Sequence, residues 1–226
     1  MNFLIVDTET TDLDHAEVCE MAATLYSTKP RGAIASVSTL LALNGENKAV
    51  EINGISNELA WKSQPVFREM IGAIKKLIGH ADYAVAFNAE FDRPYWEKLN
   101  PEIPWFCAMR DFDWEYHKER FTLIELALWL GIGVGTAHRA GDDVRLLVEC
   151  FNRCSHFDER LEQAIIRSQS PQIELKAIIS YDNRQLAKDA GFQWDGDRRI
   201  WIKKVRECDR LGIIDRSSFE VETVAV

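Results

Sequence analysis

Asn2-Phe3-Leu4-Ile5-Val6-Asp7-Thr8-Glu9-Thr10-Thr11 is the stretch on which the reading of the fold turns. Phe3 to Val6 form a short, wholly apolar run that breaks off at Asp7, as a central strand buried on both faces does. Asp7 and Glu9 then stand at i and i+2, so on a strand their carboxylates leave the same face. Two ionised acids that close repel each other and raise their own pKa values unless a cation holds them. Alone the pattern is weak, because acidic pairs in solvated turns at strand ends are common.

The rest of the chain alternates in a way that suits one α/β layer. Strand-like stretches run near Glu17–Ser27 and Ile34–Leu43, with the turn signal Lys29-Pro30-Arg31-Gly32 between them. Val66, Met70, Ile74, Leu77 and Ile78 recur at helical spacing. Tyr83-Ala84-Val85-Ala86-Phe87 is a second buried strand, and it too ends in a polar cluster, Asn88-Ala89-Glu90-Phe91-Asp92. Thr122 and Glu125 form a capping box that opens a helix over Leu123–Leu130, which Gly131 stops. Val144, Leu147, Val148 and Phe151 mark another amphipathic helix. Strands first, then strands and helices mixed, predict an α/β fold with a mixed sheet flanked by helices.

The chain of 226 residues is 46% apolar and 28% charged, the mixture of a globular protein rather than a disordered or low-complexity one. No window approaches the ~18 apolar residues of a membrane span, and the start lacks the basic segment of a signal peptide. Five scattered cysteines read as cytosolic thiols, so the expected location is the cytoplasm, with no membrane partner. The net charge of −9 is unevenly placed: residues 1–157 hold 15 basic against 23 acidic side chains, and residues 158–226 hold 12 against 13. Duplex DNA is gripped by a basic face. If so acidic a protein handles nucleic acid, bound divalent cations are the obvious means of cancelling the repulsion.

Two further elements carry chemistry. Asp92 follows the second apolar strand as Asp7 follows the first, and neighbouring strand ends lie ~5–10 Å apart. It could complete a carboxylate cluster with Asp7 and Glu9; the plainer alternative is a helix N-cap ahead of Arg93-Pro94-Tyr95. In His138-Arg139-Ala140-Gly141-Asp142-Asp143-Val144, Asp143 falls on the first turn of the apolar-faced helix and His138 on the loop before it. In this order the three elements resemble the DEDDh family of 3′-to-5′ exonucleases, whose members include proofreading subunits, exonuclease X and ribonuclease T. The resemblance spans about residues 2–155 and extends to Asn53-Gly54-Ile55-Ser56. Asp12 stands where many members have Gly, and Asn53 where many have His.

The resemblance implies a ribonuclease H-like fold, with Asp7, Glu9, Asp92 and Asp143 as metal ligands and His138 as general base. It further implies substrate contacts from Thr8, Thr10, Leu13, Asn88 and Phe91. Leu13 is a candidate wedge against the terminal base, with a plain core contact equally open to it. Phe91 could stack on a base, although a core position suits it better. The residue types fit the reaction. Phosphodiester hydrolysis needs an attacking water, charge stabilisation and help for the departing oxygen, and two divalent ions ~3.5–4 Å apart supply these. Hard oxygen ligands suit Mg²⁺ or Mn²⁺. A histidine that titrates near neutrality suits proton transfer.

The expected activity is therefore metal-dependent 3′-to-5′ exonuclease action on nucleic-acid 3′ ends, releasing nucleoside monophosphates. Single-stranded DNA is favoured and RNA is the alternative, as is a binding or polymerase-accessory protein with a secondary nuclease site. A homodimer and a polymerase or repair partner stay open. Cys150-x3-Cys154 with His156 has no second Cys/His pair nearby and reads as a core face rather than a zinc site. No phosphate-loop or dinucleotide-binding motif occurs.

Three segments are expected: an exonuclease domain over 1–157, a linker or helical connection over 158–172, and a small β-α-β module over 173–226. In the last, a strand over Glu174–Ser180, a helix ended by Gly191 and a strand over Arg199–Val205 carry Trp194, Trp201 and several basic residues. Those tryptophans suit the core of a small module better than a platform for single strands.

Overall fold

The computed structural model describes residues 1–12, 16–118, 121–135 and 138–224. The chain divides into two compact units, Met1–Leu161 and Glu162–Val226. Leu13 and its proposed wedge lie outside the described residues.

The first unit opens with β1 (Asn2–Thr10), β2 (Val18–Thr28) and β3 (Arg31–Leu40). Three helices follow: α1 (Val50–Asn53), α2 (Asn57–Trp61) and α3 (Phe67–Ile78). Then come β4 (Tyr83–Ala86), α4 (Ala89–Trp96), β5 (Trp105–Cys107), α5 (Leu123–Trp129) and α6 (Ala140–Arg153), and α7 (Phe157–Gln169) runs across the division after Leu161. The sheet order is β3-β2-β1-β4-β5. β1 pairs antiparallel with β2 and parallel with β4, and β4 pairs parallel with β5. This is the mixed sheet expected from the sequence, with the apolar run of β1 at its centre.

Alternation along β1 sets the two layers. Leu4 and Val6 face α3 and α4, packing with Ile74, Ile78 and Trp96. Phe3 faces the other way, against Tyr26, Phe106 and Phe151, with ring centroids 5.2–6.2 Å apart. α6 contributes Phe151 to this layer and buries Val144, Leu147 and Val148 beside it. α5 has the expected capping box between Thr122 and Glu125, and Gly131 closes its C-terminal end at φ +73°. Cys150 and Cys154 are buried, and the Cys154 thiol donates to the Ser155 carbonyl at 3.1 Å.

The parallel β1–β4 pairing ends at Ile5 and Val85, so β1 overruns β4 by several residues. That overrun carries Asp7 and Glu9 into the crevice outside the carboxyl ends of the strands, where open α/β sheets bind ligands. A bulge follows at once: Glu9 pairs with Glu20 but Thr10 pairs with Val18. Bulges of this kind re-aim side chains beside functional sites.

The second unit contains β6 (Gln172–Ile178), α8 (Arg184–Asp189), β7 (Gln193–Asp195), β8 (Ile200–Arg206), α9 (Arg210–Arg216) and β9 (Glu220–Val224). α8 lies between strands as expected, but the sheet has four strands in the order β7-β8-β6-β9, all antiparallel. Its core is Leu175, Ala177, Ala187, Phe192 and Val205. Among the described residues no helix is long and apolar enough to cross a membrane.

Candidate metal centre

β1 places Asp7 and Glu9 on one face, and the first turn of α6 brings Asp143 to them. Carboxylate oxygens of these three lie within 4.8 Å of one another, each residue keeping part of its surface open. Asp92 reaches the same region from α4, where it sits in the helix behind Asn88, so the N-cap alternative for Asp92 falls to Asn88. Asp92 is only 3% exposed, and its Oδ1 has no hydrogen-bond partner among the described residues. A buried carboxylate oxygen left unpaired carries a full desolvation penalty.

The electrostatics follow from this crowding. Burial, then the charges of Asp92, Asp143, Glu9 and Glu20, hold the Asp7 carboxyl well above the usual carboxylate range. Burial pushes Glu9 up to about 7, with Asp143, Glu20 and Asp92 adding to it and Arg139 opposing. Burial likewise raises Asp92 to about 7, against hydrogen bonds from the Thr8 hydroxyl and N–H. Asp143 rises to about 6 through burial, held back by the charge and main-chain N–H of His138. Like charges gathered under partial burial, with one oxygen unpaired, are the donor set that a hard divalent cation satisfies.

His138 is exposed and adopts φ +60°, a left-handed conformation uncommon for a non-glycine residue. Thr8 is buried; its hydroxyl accepts the Trp96 indole N–H at 2.7 Å. Thr10 is buried and donates to the Asp12 carbonyl at 2.8 Å. Asn88 is half-buried, and its Oδ1 lacks a partner among the described residues. Phe91 is half-buried with its ring 5.9 Å from that of Tyr95. Asp12, the first departure from the family pattern, receives Lys48 Nζ at 3.0 Å. Asn53, the second, is buried; it donates to the Thr10 carbonyl and accepts from Asn47 and the Ile55 N–H. It ties the segment after α1 to the end of the strand that bears the acids.

Two residues beside the site were invisible to sequence reading. Glu20 on β2 is 3% exposed and lies opposite Glu9 in the β1–β2 register. Its Oε2 accepts Arg139 Nε at 2.8 Å, and its Oε1 accepts Arg139 Nη2 at 3.1 Å. The only sequence trace of this pair is a charge at an otherwise apolar stretch of β2, 119 residues from its partner.

A sequence-family profile described as Exonuclease matches residues 4–151, and a domain of unknown function (DUF8626) matches residues 173–224. The chain is 28% identical over 194 residues to the DNA polymerase III subunit epsilon of Treponema pallidum (strain Nichols), spanning 76% of this chain and 85% of that protein. It is similar in fold to E. coli Exonuclease I in complex with a dT13 oligonucleotide, with 14% identity, TM-score 0.62, and coverage of 97% and 68% of the two chains. It is likewise similar to Exonuclease X in complex with 5′ overhanging duplex DNA, with 21% identity, TM-score 0.50, and coverage of 72% and 99%.

Proposed function

The chain belongs to the exonuclease family, as a 3′-to-5′ exonuclease of the DEDDh type, and from that premise we propose that it trims single-stranded DNA to nucleoside monophosphates. The observation that carries this reading is the approach of Asp7, Glu9 and Asp143 oxygens to within 4.8 Å, with Asp92 buried beside them. The preference for DNA rests on the likeness to a DNA polymerase III subunit, and for single strands on the acidity of residues 1–157.

In this reading Asp7, Glu9, Asp92 and Asp143 hold two divalent ions, Mg²⁺ or Mn²⁺. Bound there, such ions neutralise charge on the phosphate and make water a better nucleophile at neutral pH. The protein's own part is to hold four carboxylates converging under burial, where each holds a proton more tightly than in water and a cation would displace it. His138 takes the proton of the attacking water; its exposed place on the loop before α6 leaves it free to reach a phosphate at the site. Phe91 and Asn88, half-buried beside Asp92, are suited to contact the terminal nucleotide. Residues 1–157 form the nuclease domain, 158–172 the connection, and 173–226 a module that is not needed for the chemistry.

The test is digestion of 5′-labelled single-stranded DNA, duplex DNA and RNA with Mg²⁺, Mn²⁺ or EDTA. A ladder shortening from the 3′ end of single-stranded DNA, abolished by EDTA, is expected. Faster loss of RNA would transfer the same chemistry to an exoribonuclease, and digestion in EDTA would overturn the metal reading.

A further inference from the structure

Glu20 and Arg139 hold the metal-centre strands to α6 in a way that no ligand role explains. Among the described residues, four donors reach the Glu20 carboxylate. Oε2 receives Arg139 Nε at 2.8 Å and the Ala140 N–H at 3.1 Å; Oε1 receives Arg139 Nη2 at 3.1 Å and the Ser38 hydroxyl at 2.9 Å. That fills the acceptor capacity of the carboxylate, leaving none for a cation. The bidentate fork fixes direction as well as distance.

The placement matters because of what Arg139 precedes and follows. Arg139 is the N-cap residue of α6 but makes no side-chain cap. The buried Ala140 N–H, which such an end leaves without an intrahelical partner, is capped instead by Glu20, from a strand at the far side of the sequence. A carboxylate at a helix N-terminus also opposes the positive end of the helix dipole. The Arg139 carbonyl in turn accepts the N–H groups of Asp142 and Asp143, at 2.9 and 3.0 Å. One residue upstream is His138, held at φ +60°. On the strand side, Glu20 faces Glu9 directly. Two carboxylates opposite each other across strands are destabilising, and the Arg139 guanidinium between the elements answers that charge.

We propose that Glu20 and Arg139 act as one positioning unit, setting the first turn of α6 so that Asp143 and His138 meet Glu9 and Asp7 in reacting geometry. Neither touches substrate. The proposal rests on the exonuclease reading above. A misplacement of order 1 Å costs ~10²-fold in rate, so loosening this anchor acts on turnover before it acts on binding.

The experiment compares Glu20→Gln, Arg139→Lys and the double variant Glu20→Gln/Arg139→Lys with the native protein and with Asp143→Asn. Steady-state cutting of a 5′-labelled oligonucleotide, Mn²⁺ titration calorimetry and thermal melting are recorded for each. Arg139→Lys keeps the charge and loses only the fork, so it remains informative if a neutralised variant folds poorly. In the folded variants kcat is expected to fall ~10–100-fold, with KM and Mn²⁺ affinity within about twofold. The double variant is expected to be no slower than the slower single one, because residues acting as a unit are not additive. Unchanged kcat in folded single variants overturns the proposal. So do losses that multiply in the double variant, and so does loss of Mn²⁺ binding in Glu20→Gln, which would make Glu20 a ligand. If the native protein itself does not cut, the exonuclease reading has failed and not the positioning.

Discussion

The two units of this chain treat charge in opposite ways. At the carboxyl end of β1 three carboxylates crowd within 4.8 Å, and Asp92 buries an oxygen without a partner among the described residues. In the second unit Arg198 grips Glu174 through both Nη atoms, at 2.6 and 2.9 Å, and Asp195 through Nε at 2.6 Å. Lys203 Nζ donates to the Ala190 carbonyl at 2.8 Å, and Arg206 Nη1 to the Ser170 carbonyl at 3.2 Å. A fold that satisfies its charges locally is consistent across levels, and one that leaves like charges together under burial departs from consistency where function demands it.

The contrast breaks most severely at Asp7. Asp7→Asn is expected to lower the rate at least ~10³-fold, since charge stabilisation by bound ions is worth several kcal/mol. The same change removes one of four repelling charges, so the metal-free protein is expected to melt higher, by about 2–4 °C for each kcal/mol relieved. Substantial Mg²⁺-dependent cutting by this variant would dissolve the metal centre. His138→Ala separates chemistry from binding: kcat drops ~10²–10⁴-fold, as for loss of a general base, while calorimetry still finds the ions bound. Loss of the ions together with the activity would make His138 a ligand or a structural residue.

A smaller effect comes from pH. Asp7 is held well above its ordinary range, Glu9 and Asp92 lie near 7, and Asp143 lies near 6. Each raised acid binds its proton more tightly in the folded state than in the unfolded one. The stability this confers is complete below the unfolded values near 4 and is lost as pH rises through about 6 to 7. The metal-free protein is therefore expected to melt several degrees lower at pH 8 than at pH 5, at ~2–4 °C per kcal/mol. Excess Mg²⁺ should cancel the slope, because the cation takes over what the proton did. Melting of the metal-free protein that rises steadily with pH would contradict the crowding of the site.

What could be read in advance divides along the same line. Asp7, Asp92 and Asp143 each stand beside a long apolar pattern, so sequence periodicity alone puts them at element ends, and the mixed sheet follows from the same runs. β5, with three residues, and α1 and α2, with four and five, are too short to show a period. β7 and β9 escaped because QWD and EVETV carry little apolar alternation, and their pairing partners lie in β8 and β6. The Glu20–Arg139 anchor joins β2 to α6 across 119 residues, which no local pattern encodes. In the sequence Asn53 is only a departure from the family pattern. Its burial against the Thr10 carbonyl is a tertiary fact.

The gentlest probe of the comparison is Trp201→Ala. Trp201 is half-buried against the core of Leu175, Ala187, Phe192 and Val205, and Trp194, opposite it across β7 and β8, leans on its ring at 5.5 Å. Lys188 Nζ lies 6.0 Å from the ring centre on the α8 side, so one face is already occupied. If the ring is structural, its removal costs roughly 1–2 kcal/mol, less than the ~3–5 kcal/mol of a fully buried tryptophan. The loss should appear as earlier unfolding of residues 162–226 in hydrogen exchange. Rate and KM on oligonucleotides, and the dependence of KM on salt, are expected to stay as they were. A platform for single strands would behave otherwise: each stacked base contributes ~1–3 kcal/mol, so KM would rise about tenfold with no change in exchange. The paired state of Arg198, Lys203 and Arg206 argues for the first outcome, since phosphate contacts need cations not already committed to the protein's own oxygens.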